Sequence, residues 1–197
     1  ELSRRYSEDV EICDKSKVGQ RIAWGRSHSV YRYGGNEVIR FPRAERWLKI
    51  LLRDGLNLRD RFKRDISVCE QYLGSYVLPT RVVESSKGKI VTIQPYIKGH
   101  YLSKKDLQDG AVKTQFQDLI TRYEAMLTAG YLVDLIGQGG VFRRRLSNVL
   151  VLPDGSLRLF DAGLADMRKI DSVPYITRFA IKVILKRQRS TIRFLLS

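Results

Sequence analysis

The chain has 197 residues, 43% hydrophobic and 29% charged, the balance of an ordinary folded protein. Two cysteines and two histidines exclude a disulfide framework, a four-cysteine zinc site and a histidine-rich metal site. Lys plus Arg total 36 against 21 Asp plus Glu, a net charge of +15, which favours phosphates, nucleic acid or anionic lipid headgroups without choosing among them.

The first 20 residues are polar with scattered apolar positions and predict a loosely attached leader or a first strand. Residues 29–33 and 37–41 are rich in β-branched and aromatic side chains. Gly34, Gly35 and Asn36 between them supply positive φ for a tight hairpin. Residues 43–73 read as helix: Trp47, Leu48, Leu51 and Leu52 fall at helical spacing, and Gly55 breaks the run. Phe62, Ile66, Cys69 and Leu73 then form an apolar stripe that ends near Gly74. Residues 76–84 and 89–96 predict two strands joined by the turn at 85–88.

Residues 111–129 form an amphipathic helix with Phe116, Leu119, Ile120, Tyr123 and Leu127 on one face, and Gly130 follows its end. Short strands at 148–152 and 157–160 flank the turn at 153–156. The stretch 174–197 carries Arg178, Lys182, Lys186, Arg187, Arg189 and Arg193 and no acid. Its apolar positions Ile176, Phe179, Ala180, Val183 and Ile184 predict a helix that packs by that face, or one that lies on an acidic membrane surface. No apolar run approaches the roughly 18–20 residues that cross a bilayer. The polar N-terminus and the two thiols, Cys13 and Cys69, point to a reducing, cytoplasmic setting, with the inner face of a membrane as a peripheral site.

The most informative stretch is residues 146–164. Asn148 opens one strand and Asp161 closes its hairpin partner, so the two meet at one end of the hairpin. An amide oxygen and a carboxylate converging there can hold Mg²⁺ on the phosphates of a nucleotide. Gly163 lets the chain turn away.

This stretch resembles the protein-kinase-like superfamily, in which a catalytic loop ends in Asn, a hairpin follows and Asp-Phe-Gly supplies the metal carboxylate. Here the motif reads Asp161-Ala162-Gly163. Other segments follow in matching order from about residue 21 to 164. Gly25, Ser27 and Ser29 resemble a degenerate phosphate-covering loop. Arg40 stands where a lysine is usual, and Asp65 falls at the helix position of that lysine's acidic partner. Gln94 and Tyr96 lie on the stretch similar to the hinge that borders adenine. His28, within the phosphate-covering loop, could touch phosphate. Four of these residues also have a plainer reading: Arg40 as an outward strand residue, Asp65 as a solvated helix acid, Gly25 as a turn and His28 as an exposed loop histidine.

The resemblance implies an α+β, two-lobed kinase-like fold, with a β-rich N-lobe at 1–96 and a reduced helical C-lobe at 97–197. It implies ATP and Mg²⁺ as cofactors, the metal held by Asn148 and Asp161. The catalytic carboxylate stands five residues before the Asn in kinases. That position here is Arg143, which cannot accept a proton. Asp134 lies fourteen before Asn148, so placing it as the catalytic Asp implies a nine-residue insertion, ending in Arg143, Arg144 and Arg145. No Ala-Pro-Glu motif follows Asp161, which argues against a conventional protein-substrate kinase. The pattern is similar to compact atypical kinases of the RIO type and to small bacterial sugar or lipopolysaccharide kinases. The expected activity is transfer of the γ-phosphate to a hydroxyl of an anionic or small-molecule substrate. The alternative is an inactive kinase-like module that binds a polyanion or protein partner, and nucleic-acid binding stands as a third role.

Overall fold

The computed structural model describes residues 11–24, 28–42, 57–137 and 145–197. It is a mixed α+β fold. Five antiparallel strands come first: β1 (Val18–Trp24), β2 (His28–Tyr33), β3 (Glu37–Pro42), β4 (Arg81–Glu84) and β5 (Ile90–Pro95), in the order β1-β2-β3-β5-β4. The β2–β3 hairpin turns at Gly34, whose φ of 56° is open to glycine without strain. Period-two alternation sorts the side chains of this sheet. Tyr33, Ile39, Val91 and Ile93 form a small core with Cys13 and Val83. Arg40 and Gln94 are buried on the other face, because Arg40 follows Ile39 and Gln94 follows Ile93.

Helix α1 (Leu58–Leu73) starts on a reciprocal cap: Asp60 N donates to Asn57 Oδ1 at 2.9 Å, and Asn57 Nδ2 donates to Asp60 Oδ2 at 2.8 Å. Its Cys69 and Leu73 sink into a second, much larger core. That core surrounds α2 (Gly110–Thr128), capped by Asp109 and buried through Val112, Phe116, Leu119, Tyr123 and Met126. A three-stranded sheet, β6 (His100–Leu102), β8 (Leu146–Val151) and β9 (Leu157–Leu159), covers one side. The pair β7 (Tyr131–Val133) and β10 (Leu164–Asp166) and the final helix α3 (Tyr175–Leu196) complete it.

Several expectations shift. The strand expected from 76 begins at Arg81, because residues 74–76 make a 3₁₀ turn and Pro79 cannot donate to a ladder. Val77 instead bridges to Leu159. Strands β6, β7 and β10 span three residues each, too short for periodicity to reveal. The stripe expected to bury α3 is largely in solvent: Ile176 is 75% exposed and Phe179 59%. The face that packs is Ile181, Leu185, Gln188, Ile192 and Leu195, also at three- and four-residue spacing. A polar residue in its middle disguised it. The helix expected near residues 43–54 and the cationic insert lie outside the described residues, except for the two ends of the insert, Gly137 and Arg145. The Arg145 guanidinium stacks on Tyr101, 4.6 Å from the ring centroid. No helix among the described residues is long and apolar enough to cross a membrane.

Candidate active site

The hairpin β8–β9 brings the two predicted metal residues together. Phe160 N donates to Asn148 O at 3.3 Å, so Asp161 follows directly on the partner of Asn148. Asn148 also reaches the segment after β7. Its backbone N donates to Leu135 O at 3.2 Å and its Nδ2 to Asp134 O at 2.6 Å. One asparagine therefore ties Asp134 to the end of the hairpin. With Nδ2 so engaged, Oδ1 is left without a hydrogen bond among the described residues. Gly137 presses against this amide: a Cβ there would sit 2.5 Å from Asn148 Oδ1, and its φ is 60°. Only glycine fits on both counts.

Asp134 is held by its own loop. Its Oδ1 accepts from Ile136 N at 2.9 Å and Gly137 N at 3.0 Å. Burial pushes its carboxyl above the usual range, although these two amides favour the charged form and act against the shift. Oδ2 makes no hydrogen bond among the described residues. The backbone on either side of Asp134 is clasped by Gln188 of α3, which is fully buried. Gln188 Nε2 donates to Val133 O at 3.0 Å and to Tyr123 Oη at 2.6 Å, while Leu135 N donates to Gln188 Oε1 at 3.3 Å.

The five-stranded sheet supplies the opposite wall. Arg40 Nη2 pairs with Asp161 Oδ2 at 3.1 Å, and Arg40 Nη1 donates to Phe160 O at 2.8 Å. Gln94 Nε2 donates to the same carbonyl at 3.1 Å and to Thr80 Oγ1 at 2.8 Å. Gln94 Oε1 lies 3.4 Å from Arg40 Nη1. Burial alone would raise the Asp161 carboxyl, but Arg40 and then His28 outweigh it and hold it below the usual range. His28 Nδ1 sits 3.4 Å from Arg40 Nη2. Arginine has no acceptor, so that nitrogen faces it with its lone pair. Burial first, then the charge of Arg40, push the imidazole down to about 4, so His28 is neutral at pH 7.

The structure thus gathers Arg40, Gln94, Asn148, Asp161 and Asp134. Asp65 stands apart from Arg40: on its own helix it is paired with the adjacent Arg64 at 2.9 Å and with Arg61, one turn before it, at 3.8 Å. Ser29 is half-buried in β2, opposite Phe41. Gly25 and Ser27 lie outside the described residues. Tyr96 borders the sheet under Arg32, whose guanidinium is 3.4 Å from its ring centroid. Its backbone N donates to Asn36 O at 2.7 Å, so that amide is already engaged.

Two residues have a place in the site that the sequence did not assign them. His28 is not an exposed loop residue; it lies on β2 on the same face as Arg40, and its two-residue offset from Val30 was the available signal. Gln188 is the one polar member of an otherwise apolar helical stripe, and that polarity hid both the stripe and the residue.

Among the described residues no cluster of three or more His, Cys, Asp or Glu is placed to hold a metal ion. One carboxylate and one amide oxygen do fit Mg²⁺ on a nucleotide, because the phosphates and water complete that octahedron. The donors here, Asp161 and the unengaged Asn148 Oδ1, are the hard oxygens such an ion takes.

No family model and no curated protein matches the chain. Solved structures do. One is a Legionella pneumophila Lpg2603 kinase bound to IP6, at 12% identity and a TM-score of 0.53, covering 90% of this chain. The chain spans 59% of the length of that kinase. At this identity the likeness concerns the fold, which is kinase-like.

Proposed function

We propose that the chain is an ATP- and Mg²⁺-dependent phosphotransferase that passes the γ-phosphate to a hydroxyl of an anionic or small-molecule acceptor. The observation that carries this reading is the Asn148 bond to Asp134 O beside Asp161. It supports the reading because it ties the segment that carries the Asp134 carboxylate to the asparagine that would share the metal with Asp161, on a kinase-like fold. Asp161 and Asn148 Oδ1 would hold Mg²⁺, which when bound neutralises charge on the phosphates. Arg40 would share its guanidinium between Asp161 and phosphate. Gly25, Ser27 and Ser29 would cover the phosphates, and Gln94 and Tyr96 would border the base. Asp134 would orient the hydroxyl and accept its proton. Asp65 would steady the helix beside the site. In this reading residues 1–96 and 97–197 close as two lobes on the nucleotide. The chain then groups with compact atypical kinases of the RIO, sugar or lipopolysaccharide type, working in the cytoplasm or on the inner face of a membrane.

The test is calorimetric binding of ATP with and without Mg²⁺, followed by γ-phosphate release. Asp161→Asn should remove the Mg²⁺-dependent part of binding. Asp134→Asn should leave binding nearly intact and cut turnover by about 10²-fold or more. Metal-dependent binding that survives in the Asp161 variant would sink the assignment.

A second reading, an inactive module that binds a polyanion or a protein, has one observation in its favour: the Tyr96 amide is taken by Asn36 O and is not offered to a base. The net charge of +15 suits a polyanion, and IP6, held by the Legionella kinase, is the probe. Tight IP6 binding with no ATP turnover would select this reading. A single-stranded oligonucleotide of matched charge in the same assay covers nucleic-acid binding.

A further inference from the structure

Behind Asp134 lies a cavity of about 780 Å³. Leu132 of β7, Leu164 of β10, Ile170 and Val173 of the connection, and Ala180 and Ile184 of α3 wall it with apolar surface. Asp134 lines it too, with one carboxylate oxygen not engaged in any hydrogen bond among the described residues. The charged residues around it lean cationic. Arg61, Arg64 and Lys169 all line it. Asp166, the other acid on the lining, is already paired with Arg168 at 2.9 Å. Lys169 has no ion-pair partner among the described residues. The apolar surface continues outward: Ile176 lines the cavity and is 75% exposed, with Tyr175 and Phe179 beside it at 75% and 59%.

These features decide between acceptor classes. A free sugar here would set most of its hydroxyls against leucine, isoleucine and valine, because the greater part of the wall is apolar and the polar groups stand at a few points of it. A long apolar chain gains by covering the same walls and the exposed side chains at the mouth. The lone lysine suits one anionic group, and Asp134 suits one hydroxyl.

Resting on the phosphotransferase reading, we propose that this cavity is the acceptor site and takes an amphiphilic alcohol: an apolar chain along α3, an anionic group at Lys169 and a hydroxyl at Asp134. In the transfer, the hydroxyl oxygen bonds the γ-phosphorus of ATP as the bridge to the β-phosphate breaks. The electron pair leaves on ADP, and the hydroxyl proton passes to the Asp134 carboxylate.

The test uses 1-oleoyl-lysophosphatidic acid, which carries all three groups, below its micelle concentration and without nucleotide. Glycerol 3-phosphate lacks the chain, and 1-monooleoylglycerol lacks the anion. Calorimetry on the full chain should show the complete probe binding at least about tenfold more tightly than either fragment. Ala180→Trp, which adds bulk at an exposed helix position on the cavity wall, should abolish that binding with melting unchanged. Lys169→Glu should weaken the complete probe by about tenfold or more and leave monooleoylglycerol as it was. Lys113→Glu, on the far helix α2, should change neither. Equal binding of the fragments, no binding of any probe, or indifference to Ala180→Trp overturns the proposal. The binding readout needs no ATP, so the two readings fail separately. Amphiphile binding without Mg²⁺-ATP binding overturns the phosphotransferase reading and the acceptor role with it. Mg²⁺-ATP binding without amphiphile binding overturns the cavity assignment alone.

Discussion

The two walls of the candidate site are built on different foundations. Asp134 and Asn148 rise from the large core around α2, where Phe116, Leu119, Tyr123 and Met126 are fully buried and Gln188 clasps the backbone. Arg40, Gln94 and His28 stand on the five-stranded sheet, whose own core is a small cluster around Ile39 and Ile93. Two side chains of that sheet, Arg40 and Gln94, grip one carbonyl, Phe160 O, and so join the walls. Geometry on the first wall is secured by deep packing and neutral hydrogen bonds, and on the second by charge and charge-assisted hydrogen bonds. The second wall is therefore expected to be the more sensitive to salt, and each wall carries its own titrating groups, Asp134 on the first and Asp161 and His28 on the second.

The largest effect that bears on this contrast is a cavity in the deep core. Phe116→Ala should cost about 4 kcal/mol in chemical denaturation, against about 2 kcal/mol for Ile93→Ala in the sheet. Equal losses would erase the distinction between the walls. Next comes Gln188→Ala, which strands the Leu135 amide, the Val133 carbonyl and the Tyr123 hydroxyl in a dry interior. The expected loss is about 3 kcal/mol, with faster hydrogen exchange at Leu135. An unprotected Leu135 amide in the wild type would show that Gln188 does not hold the loop.

A smaller effect should appear in acid. The folded state depresses His28 to about 4 from its ordinary 6.5, so neutral His28 contributes stability above pH 6.5. That contribution is lost as pH falls from 6.5 through 4. Asp161, also depressed, acts with the same sign at lower pH. His28→Gln should flatten the decline between pH 6.5 and 4, measured by denaturation at each pH. A variant that follows the wild-type curve would place His28 outside the charge network. Asp134 has the opposite sign: its carboxyl is raised, so its protonated form favours folding, and turnover should climb with pH through a midpoint above that of an ordinary carboxylate. The smallest effect belongs to neither wall. Arg122→Ala removes an exposed i,i+4 pair with Asp118 and should leave the denaturation midpoint indistinguishable from wild type.

Local chemistry made much of this molecule readable in advance. The Gly34 hairpin and the stripe through Phe116 and Tyr123 are short-range matters of φ and period, and residues 110–128 fall within a residue of their expected bounds. The meeting of Asn148 with Asp161 was readable too, because a hairpin with a tight turn aligns its two ends. Other features had no local signature. That Arg40 pairs with Asp161 and not Asp65 depends on how β3 faces β9 across more than a hundred residues of chain. The engagement of Tyr96 N by Asn36 depends on strand register.

The sequence by itself determined the helices α1, α2 and α3, the hairpins, the basic charge and the order of the chemical groups, because each is set by neighbours a few positions away. Only the tertiary structure decided which carboxylate meets the arginine, which face of α3 is buried and where the cavity behind Asp134 opens. Those outcomes follow from packing between distant segments, where two stripes on one helix compete and the one that also satisfies buried backbone groups, through Gln188, goes inside although it is the less apolar.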